Sequence, residues 1–217
     1  MEFFVTHQAV DHYSGDCSVA FVFKDTTNEN RILQGLLELH RFEANLGETL
    51  MLGKVEGYKS KRVLAIGLGE SPLTQKKYIK VLKSLSSAMN DTKVKNVVIP
   101  SLEVEGCDDS WLQITTARVL KNESYQIKKV GLEVEKKAIV LEAVNIHSEN
   151  NGITEISKGV AIANGMALAR EPGDLPPNIC TPTYIAERAQ LLASTYKLKC
   201  EVLEESDMEA LGMNSLL

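Results

Sequence analysis

The sequence predicts a layered α/β fold, and three observations carry that expectation. Short β-prone apolar runs recur at Cys17–Phe23, Lys61–Leu68 and Val94–Ile99. Segments with helical apolar spacing stand between and after them, over Arg31–His40, Thr74–Met89 and Asp108–Lys121. The breaks fall at turn formers, as in Asn45-Leu46-Gly47, Gly69-Glu70-Ser71-Pro72 and Pro100. Such alternation builds a mainly parallel or mixed sheet covered by helices.

The first elements follow from local pattern. Phe3–Val5 is a short β-prone start, and Cys17–Phe23 (Cys-Ser-Val-Ala-Phe-Val-Phe) reads as a buried strand. Arg31–His40 carries Ile32, Leu36 and Leu39 at helical spacing. Thr49–Leu52 is a further strand closed by Gly53. In Thr74–Met89 the residues Tyr78, Val81, Leu82, Leu85 and Met89 form one stripe. Asp108 or Asp109 is placed to cap the next helix, with Trp111, Ile114, Ala117 and Val119 or Leu120 near one face. Tyr125–Val130 and Lys137–Val144 read as two more strands. Asn145, Ser148, Asn150, Asn151 and Gly152 then gather turn formers at a domain boundary, giving domains of residues 1–150 and 151–217.

The texture changes after that boundary. Ile153, Ile156, Val160, Ala163 and Ala167 follow helical steps, and Gly159, Ala163 and Ala167 sit four apart. A glycine inside a helix costs about 1 kcal/mol relative to alanine. Gly159 and Gly165 therefore predict close approach of another element, with an ordinary amphipathic helix as the alternative. Pro172 and Gly173 predict the helix end near Arg170. The passage Ala169–Pro182 holds four of the six prolines. Leu175-Pro176-Pro177 should run extended. Thr181-Pro182 opens the next helix, whose buried face is Ile185, Ala189, Leu192 and Tyr196. Lys199–Leu203 is expected as a strand and Asp207–Leu211 as a short helix stopped by Gly212. A lone strand and two apolar helix faces do not make a finished domain. The second region is expected to be the opening of a domain whose sheet is completed elsewhere.

Bulk properties narrow the class. The chain has 217 residues, 44% of them hydrophobic, with 24% charged and a net charge of −5. That balance gives no electrostatic reason to expect nucleic acid or an anionic membrane as partner. Lys76-Lys77, Lys128-Lys129 and Lys136-Lys137 are isolated pairs that read as solvated faces. The start Met-Glu-Phe-Phe-Val-Thr-His has no basic segment or apolar core of a signal peptide, and no run reaches membrane-spanning length. Cys17, Cys107, Cys180 and Cys200 are dispersed, which fits a reduced, cytoplasmic protein better than a zinc site.

No motif assigns a catalytic, cofactor-binding or metal-binding residue by itself. Gly67-Leu68-Gly69 follows a strand and precedes a helix as phosphate loops do. The third glycine of the dinucleotide fingerprint is replaced by Pro72, so a plain strand-to-helix turn fits better. His7 and His12 lack the zinc-protease spacing, and His40 and His147 stand alone. Adjacent Asp108-Asp109 suits helix capping. The acidic run Glu201, Glu204, Glu205 and Asp207 reads as a solvated loop without a facing ligand shell.

Beyond these motifs, Asn164-Gly165-Met166-Ala167-Leu168-Ala169-Arg170, leading to Leu175-Pro176-Pro177-Asn178-Ile179-Cys180-Thr181-Pro182, resembles the leucyl (cytosol) aminopeptidase family. Tyr184-Ile185-Ala186-Glu187 and Asp207-Met208-Glu209-Ala210-Leu211-Gly212-Met213 continue the likeness, and Val63–Gly69 resembles the family's amino-terminal domain more loosely. Asp174 stands where the family pattern has Asn. The resemblance implies a macro-domain-like amino-terminal α/β domain, a linker helix and the first part of a metallopeptidase catalytic domain. It implies a parent enzyme that removes amino-terminal residues, preferably leucine, from peptides. It further implies two divalent metal ions, manganese or zinc, and a homo-oligomer, typically a hexamer. The family's ligands are a lysine and several carboxylates, including an Asn-Thr-Asp-Ala-Glu-Gly-Arg motif that these 217 residues do not contain. The resemblance therefore transfers no catalytic or metal residue, and this stretch is expected to be inactive alone, serving oligomer assembly and active-site access. Two other readings stand beside it. One is a macro-type module binding a nucleotide such as ADP-ribose through Gly67–Ser71. The other is a DNA-binding accessory role, against which the acidic charge counts.

Overall fold

A computed structural model describes residues 1–127 and 141–216. The pairs Lys128-Lys129 and Lys136-Lys137 fall outside these, as does half of each strand expected over Tyr125–Val130 and Lys137–Val144. The described residues divide into two compact units, the first holding residues 1–126 and 141–167 and the second Ile127 and residues 168–216.

The first unit is built on six strands: β1 (Glu2–Thr6), β2 (Cys17–Phe23), β3 (Thr49–Leu52), β4 (Arg62–Gly69), β5 (Asn96–Ile99) and β6 (Ala143–His147). Their order is β1-β6-β5-β2-β4-β3. All neighbours are parallel except β3, which runs antiparallel to β4 along one edge. The expected mixed α/β sheet is thus present. Strand periodicity explains why β2 and β4 read as continuous apolar runs. Leu64, Ile66 and Leu68 of β4 join one buried cluster, while Val63 and Ala65 join the other. In β2, Cys17 and Val19 face the first cluster and Ala20 and Val22 the second. Strands covered on both faces lose polar alternation.

The helices α1 (Arg31–Leu39), α2 (Gln75–Asp91) and α3 (Asp109–Glu123) supply those covers. In α2 the stripe Tyr78, Val81, Leu82, Leu85 and Met89 is buried as its spacing requires. In α1 the buried residues are Leu33 and Leu37, whereas Ile32 and Leu39 are exposed. The sequence Ile-Leu-Gln-Gly-Leu-Leu-Glu-Leu offers two overlapping stripes, and the core takes the i, i+4 pair that the expected stripe left out. Asn30 caps α1 at the amides of Ile32 and Leu33, and Asp108 caps α3 at the amide of Trp111, 2.8 Å away.

A long helix, α4 (Ile153–Asp174), follows β6. Ile156, Gly159 and Ala163 are its buried residues. A Cβ at Gly159 would stand 2.4 Å from the Ile114 carbonyl oxygen of α3, so this glycine does mark a close approach. Gly165 has nothing within 4 Å of its Cβ position, and close approach does not explain it. The helix also passes Pro172 instead of ending near Arg170. Proline removes one amide donor and disfavours the turn before it. That loss falls in the last turn, where the Glu171 carboxylate accepts from Arg188 Nη2 at 2.9 Å.

In the second unit the amides of Ile179 and Cys180 both reach the Pro176 carbonyl at 2.9 Å. Pro176–Ile179 is thus a turn and not an extended run, with Pro177 in the second turn position, where its fixed φ suits it. Thr181 Oγ1 accepts from the Tyr184 amide and starts α5 (Pro182–Tyr196), as the Thr-Pro pair indicated. The expected apolar face of α5 is open. Ile185 is 51% and Tyr196 67% exposed, and Ala193 is its one buried residue. Residues 199–203 form no strand among the described residues, correcting the strand expected there. β-prone composition does not hold a strand without a ladder to receive its amides and carbonyls. The short helix α6 (Glu205–Ala210) ends at Gly212, whose φ of +70° is the left-handed geometry of a helix stop.

Candidate functional site

Gly67 and Gly69, expected in a turn after the strand, lie instead at the carboxyl end of β4 itself. This is the sequence's nearest approach to a ligand loop, and the fold closes it with the protein's own groups. Ala44 and Asn45 lie where a side chain at residue 67 would go: a Cβ on Gly67 would meet the Asn45 carbonyl at 2.2 Å. The Gly67 amide donates to the Glu48 carbonyl at 2.8 Å, and the Gly69 amide to the Ala44 carbonyl at 3.0 Å. Farther along, Asp25 takes the place an anion would need. Its carboxylate accepts from Ser71 Oγ at 2.6 Å and from the Ser71 amide at 3.3 Å. Those bonds, led by the Ser71 hydroxyl, hold the Asp25 carboxyl below its ordinary range. Lys77 Nζ is spent on the carbonyls of Glu70 and Pro72. An incoming phosphate would meet a carboxylate and occupied donors. Asp25 lies 46 residues from Ser71, which hid this closure from local motif reading.

Ligands of open α/β sheets bind outside the carboxyl ends of the strands, where the strand order reverses. Here that point lies between β2 and β5. A cavity beside it, at the carboxyl ends of β5 and β6, is lined by Ser101, Gln113, Thr116, His147 and Ser148. Its volume is about 20 Å³, room for a single water. Ligand pockets run to about 300–1,000 Å³. The polar lining is satisfied internally: Gln113 Nε2 donates to Ser148 Oγ at 2.8 Å, and Tyr78 and Thr116 share a 2.7 Å hydroxyl contact. Burial pushes the Tyr78 phenol up to about 12, so it stays neutral.

The structure scatters the remaining candidate residues. His7 Nδ1 donates to the Ser148 carbonyl at 2.7 Å. His147 Nδ1 lies 3.4 Å from Ser101 Oγ, and His12 and His40 sit in a helical turn and at the end of α1. Asp109 accepts from Asn150 Nδ2 at 3.1 Å. Asp207 accepts the Glu204 amide at 3.0 Å, so this part of the acidic run caps α6. The cysteines are free thiols, and burial pushes Cys17 up to about 12, far from a nucleophilic thiolate. Among the described residues no three His, Cys, Asp or Glu side chains converge as a metal ion requires. No described helix is long and apolar enough to cross a membrane.

The shortest ion pair among the described residues lies at the opposite, amino-terminal end of the strands. Arg62 Nη2 donates to Asp16 Oδ2 at 2.6 Å, and Nη1 to the Thr92 carbonyl at 2.7 Å. Asp16 also accepts the Lys95 amide at 3.0 Å. Burial alone would raise the Asp16 carboxyl, but the Lys95 amide and Arg62 outweigh it and hold it below the usual 3.8. A depressed carboxylate stabilises the fold fully above its unfolded value and loses that contribution as pH falls through the folded one. Asp16→Asn should therefore cost about 1–3 kcal/mol at pH 7. The cost should shrink toward zero as pH falls below 3.8 toward the lower folded value. Urea unfolding midpoints of the two proteins down an acid series measure this. A pH-independent difference would show that the carboxylate's charge is not what matters.

Comparison with known families identifies the passage around the prolines. The amino-terminal domain model of the cytosol aminopeptidase family matches residues 19–130. The catalytic domain model of the same family matches residues 167–217. The chain belongs to the cytosol aminopeptidase family. A "Probable cytosol aminopeptidase" of Vesicomyosocius okutanii subsp. Calyptogena okutanii (strain HA) is 39% identical over this whole chain and 45% of its own length. One from Nitrosomonas europaea is 33% identical over the whole chain and 47% of its length. The chain spans about half the length of these cytosol aminopeptidase relatives. Among solved structures, a tomato leucine aminopeptidase mutant superposes with a TM-score of 0.76 at 20% identity, covering 98% of this chain and 46% of that one. The bottromycin maturation enzyme BotP in complex with Mn gives 0.73 at 18%, covering 91% and 40%. At such identities the likeness establishes the fold. The resemblance read from the proline passage is thereby borne out, as is the α/β sheet flanked by helices.

Proposed function

We propose that this chain forms the amino-terminal region and the opening of the catalytic domain of a metal-dependent aminopeptidase that removes amino-terminal residues, preferably leucine, from peptides. One observation carries the reading: the catalytic-domain match begins in α4 and runs through the proline turn and α5 to the end of the chain. Two divalent ions, manganese or zinc, serve the reaction in this reading, and BotP's complex with Mn supports a metal of that kind. The residues present do not fit such a centre, since no three described ligand groups converge. In this reading the metals are held by other residues of the full-length protein. This region's part is to assemble the oligomer, a hexamer in this reading, and to border access to the active site in a cytoplasmic enzyme.

A leucine-anilide assay with added manganese tests the proposal. The 217-residue chain should give no turnover, and the full-length protein should hydrolyse the anilide. Turnover by the 217 residues alone would place the metal centre within them. An inert full-length protein would refute the aminopeptidase.

A further inference from the structure

The amino-terminal ends of the parallel strands gather positive charge that the sequence disperses. Lys61 precedes β4 and Arg62 opens it, Lys93 and Lys95 precede β5, and all four line one open groove of about 470 Å³. The protein as a whole carries a net charge of −5. Asp16 lies in the same groove, and Glu142 reaches Lys95 Nζ at 3.4 Å. Among the described residues, four cations against these two acids leave a local excess of two positive charges.

The four cations are not equivalent. Arg62 is committed to Asp16 and to the Thr92 carbonyl. Among the described residues no acid makes an ion pair with Lys61 or Lys93. Arg62 thus fixes the floor while Lys61 and Lys93 keep ammonium groups available in the groove. The backbone at Lys93 adds an independent observation. It has φ +55° just past the end of α2, the left-handed position that glycine fills without cost. A lysine held there keeps a charge at the groove at the expense of backbone ease.

We propose that this groove binds a small, doubly charged oxyanion of the phosphate class, held between Lys61 and Lys93 over the Arg62–Asp16 pair. The excess of two charges matches one dianion, and ammonium groups bind phosphate oxygens by charge-assisted hydrogen bonds. The site lies at the end of the sheet opposite the glycine turn, and the inference does not depend on the peptidase reading.

The experiment is a titration of the 217-residue chain with inorganic phosphate, followed by amide chemical shifts at constant ionic strength, with chloride as control. Saturable shifts confined to Gly15, Lys61, Lys93, Lys95 and their neighbours are expected. They should weaken as added salt shortens the screening length. The decisive variant is Lys93→Gly. It relieves the left-handed backbone, so thermal stability should hold or rise while phosphate affinity falls about tenfold. Lys61→Gln should weaken binding similarly with stability unchanged. Full phosphate response in both variants overturns the proposal, as does a response no greater than chloride's. Tighter binding of a single-stranded oligonucleotide than of phosphate would also overturn it, in favour of a nucleic-acid surface.

Discussion

Alanine in place of Gly159 should destabilise the first unit by about 1–3 kcal/mol, the usual cost of forcing extra volume into a packed contact. The added Cβ would stand 2.4 Å from the Ile114 carbonyl oxygen, 3.0 Å from Ala117 Cβ and 3.1 Å from the Arg118 amide nitrogen. Two of these atoms belong to the backbone of α3 and cannot turn aside as a side-chain end can. The helices must separate, which loosens Ile156 and Ala163 on the same face of α4. Helix propensity acts the other way, favouring alanine by about 1 kcal/mol. Gly165→Ala isolates that term, because its Cβ position is empty to 4 Å. Gly165→Ala should therefore be neutral or stabilising by up to about 1 kcal/mol. Urea unfolding of both variants decides. Equal midpoints would mean that α4 and α3 do not pack through Gly159.

The same pair of glycines shows what a sequence can and cannot specify. Spacing marked both as anomalies in a helix, but spacing does not say which face meets a neighbour. Only the sheet connection before α4 settles that Gly159 faces α3. The strands β2 and β4 were legible because burial on both faces leaves an unbroken apolar run, whatever the neighbours are. The helix α2 was legible because it has a single apolar stripe. The helix α1 has two, and the choice between them rests on long-range packing. Pro176-Pro177 misled for a related reason. Fixed φ angles restrict the chain, but a turn accommodates proline as well as an extended run does, and the Pro176 carbonyl chooses the turn by accepting two amides. The Gly67–Ser71 turn looked open to phosphate because its occupants, Asn45 and Asp25, are distant in sequence. The basic groove was hidden likewise: Lys61-Arg62 and Lys93-Lys95 stand some thirty residues apart and meet only because β4 and β5 both flank β2. Family membership was legible for the opposite reason, since the proline passage and the Met-Glu-Ala-Leu-Gly-Met run are contiguous.

The second large effect concerns α5. In the 217-residue chain, amide hydrogens of α5 should exchange at least about a hundredfold faster, relative to unstructured rates, than those of α2 and β4. Six residues of α2 are buried, among them Val81, Leu82, Leu85 and Met89 at 0% exposure. β4 is buried along nearly its whole length. The fifteen residues of α5 bury Ala193 alone, and Ile185 and Leu191 remain more than half exposed. A helix of that length is marginal in water without tertiary packing. Its Thr181 cap contributes about 1 kcal/mol. The half-buried Arg188–Glu171 pair joins it to the end of α4. These supports are small beside the burial that holds α2. Opening of α5 therefore costs far less than global unfolding, and its exchange reports that local opening. Mass-spectrometric exchange on peptides from residues 75–91 and 182–196 measures the ratio. Equal protection in the two segments would mean that α5 shares the cooperative core, and the exposure of Ile185, Leu191 and Tyr196 would then need an apolar surface covering them in solution, such as a second copy of the chain.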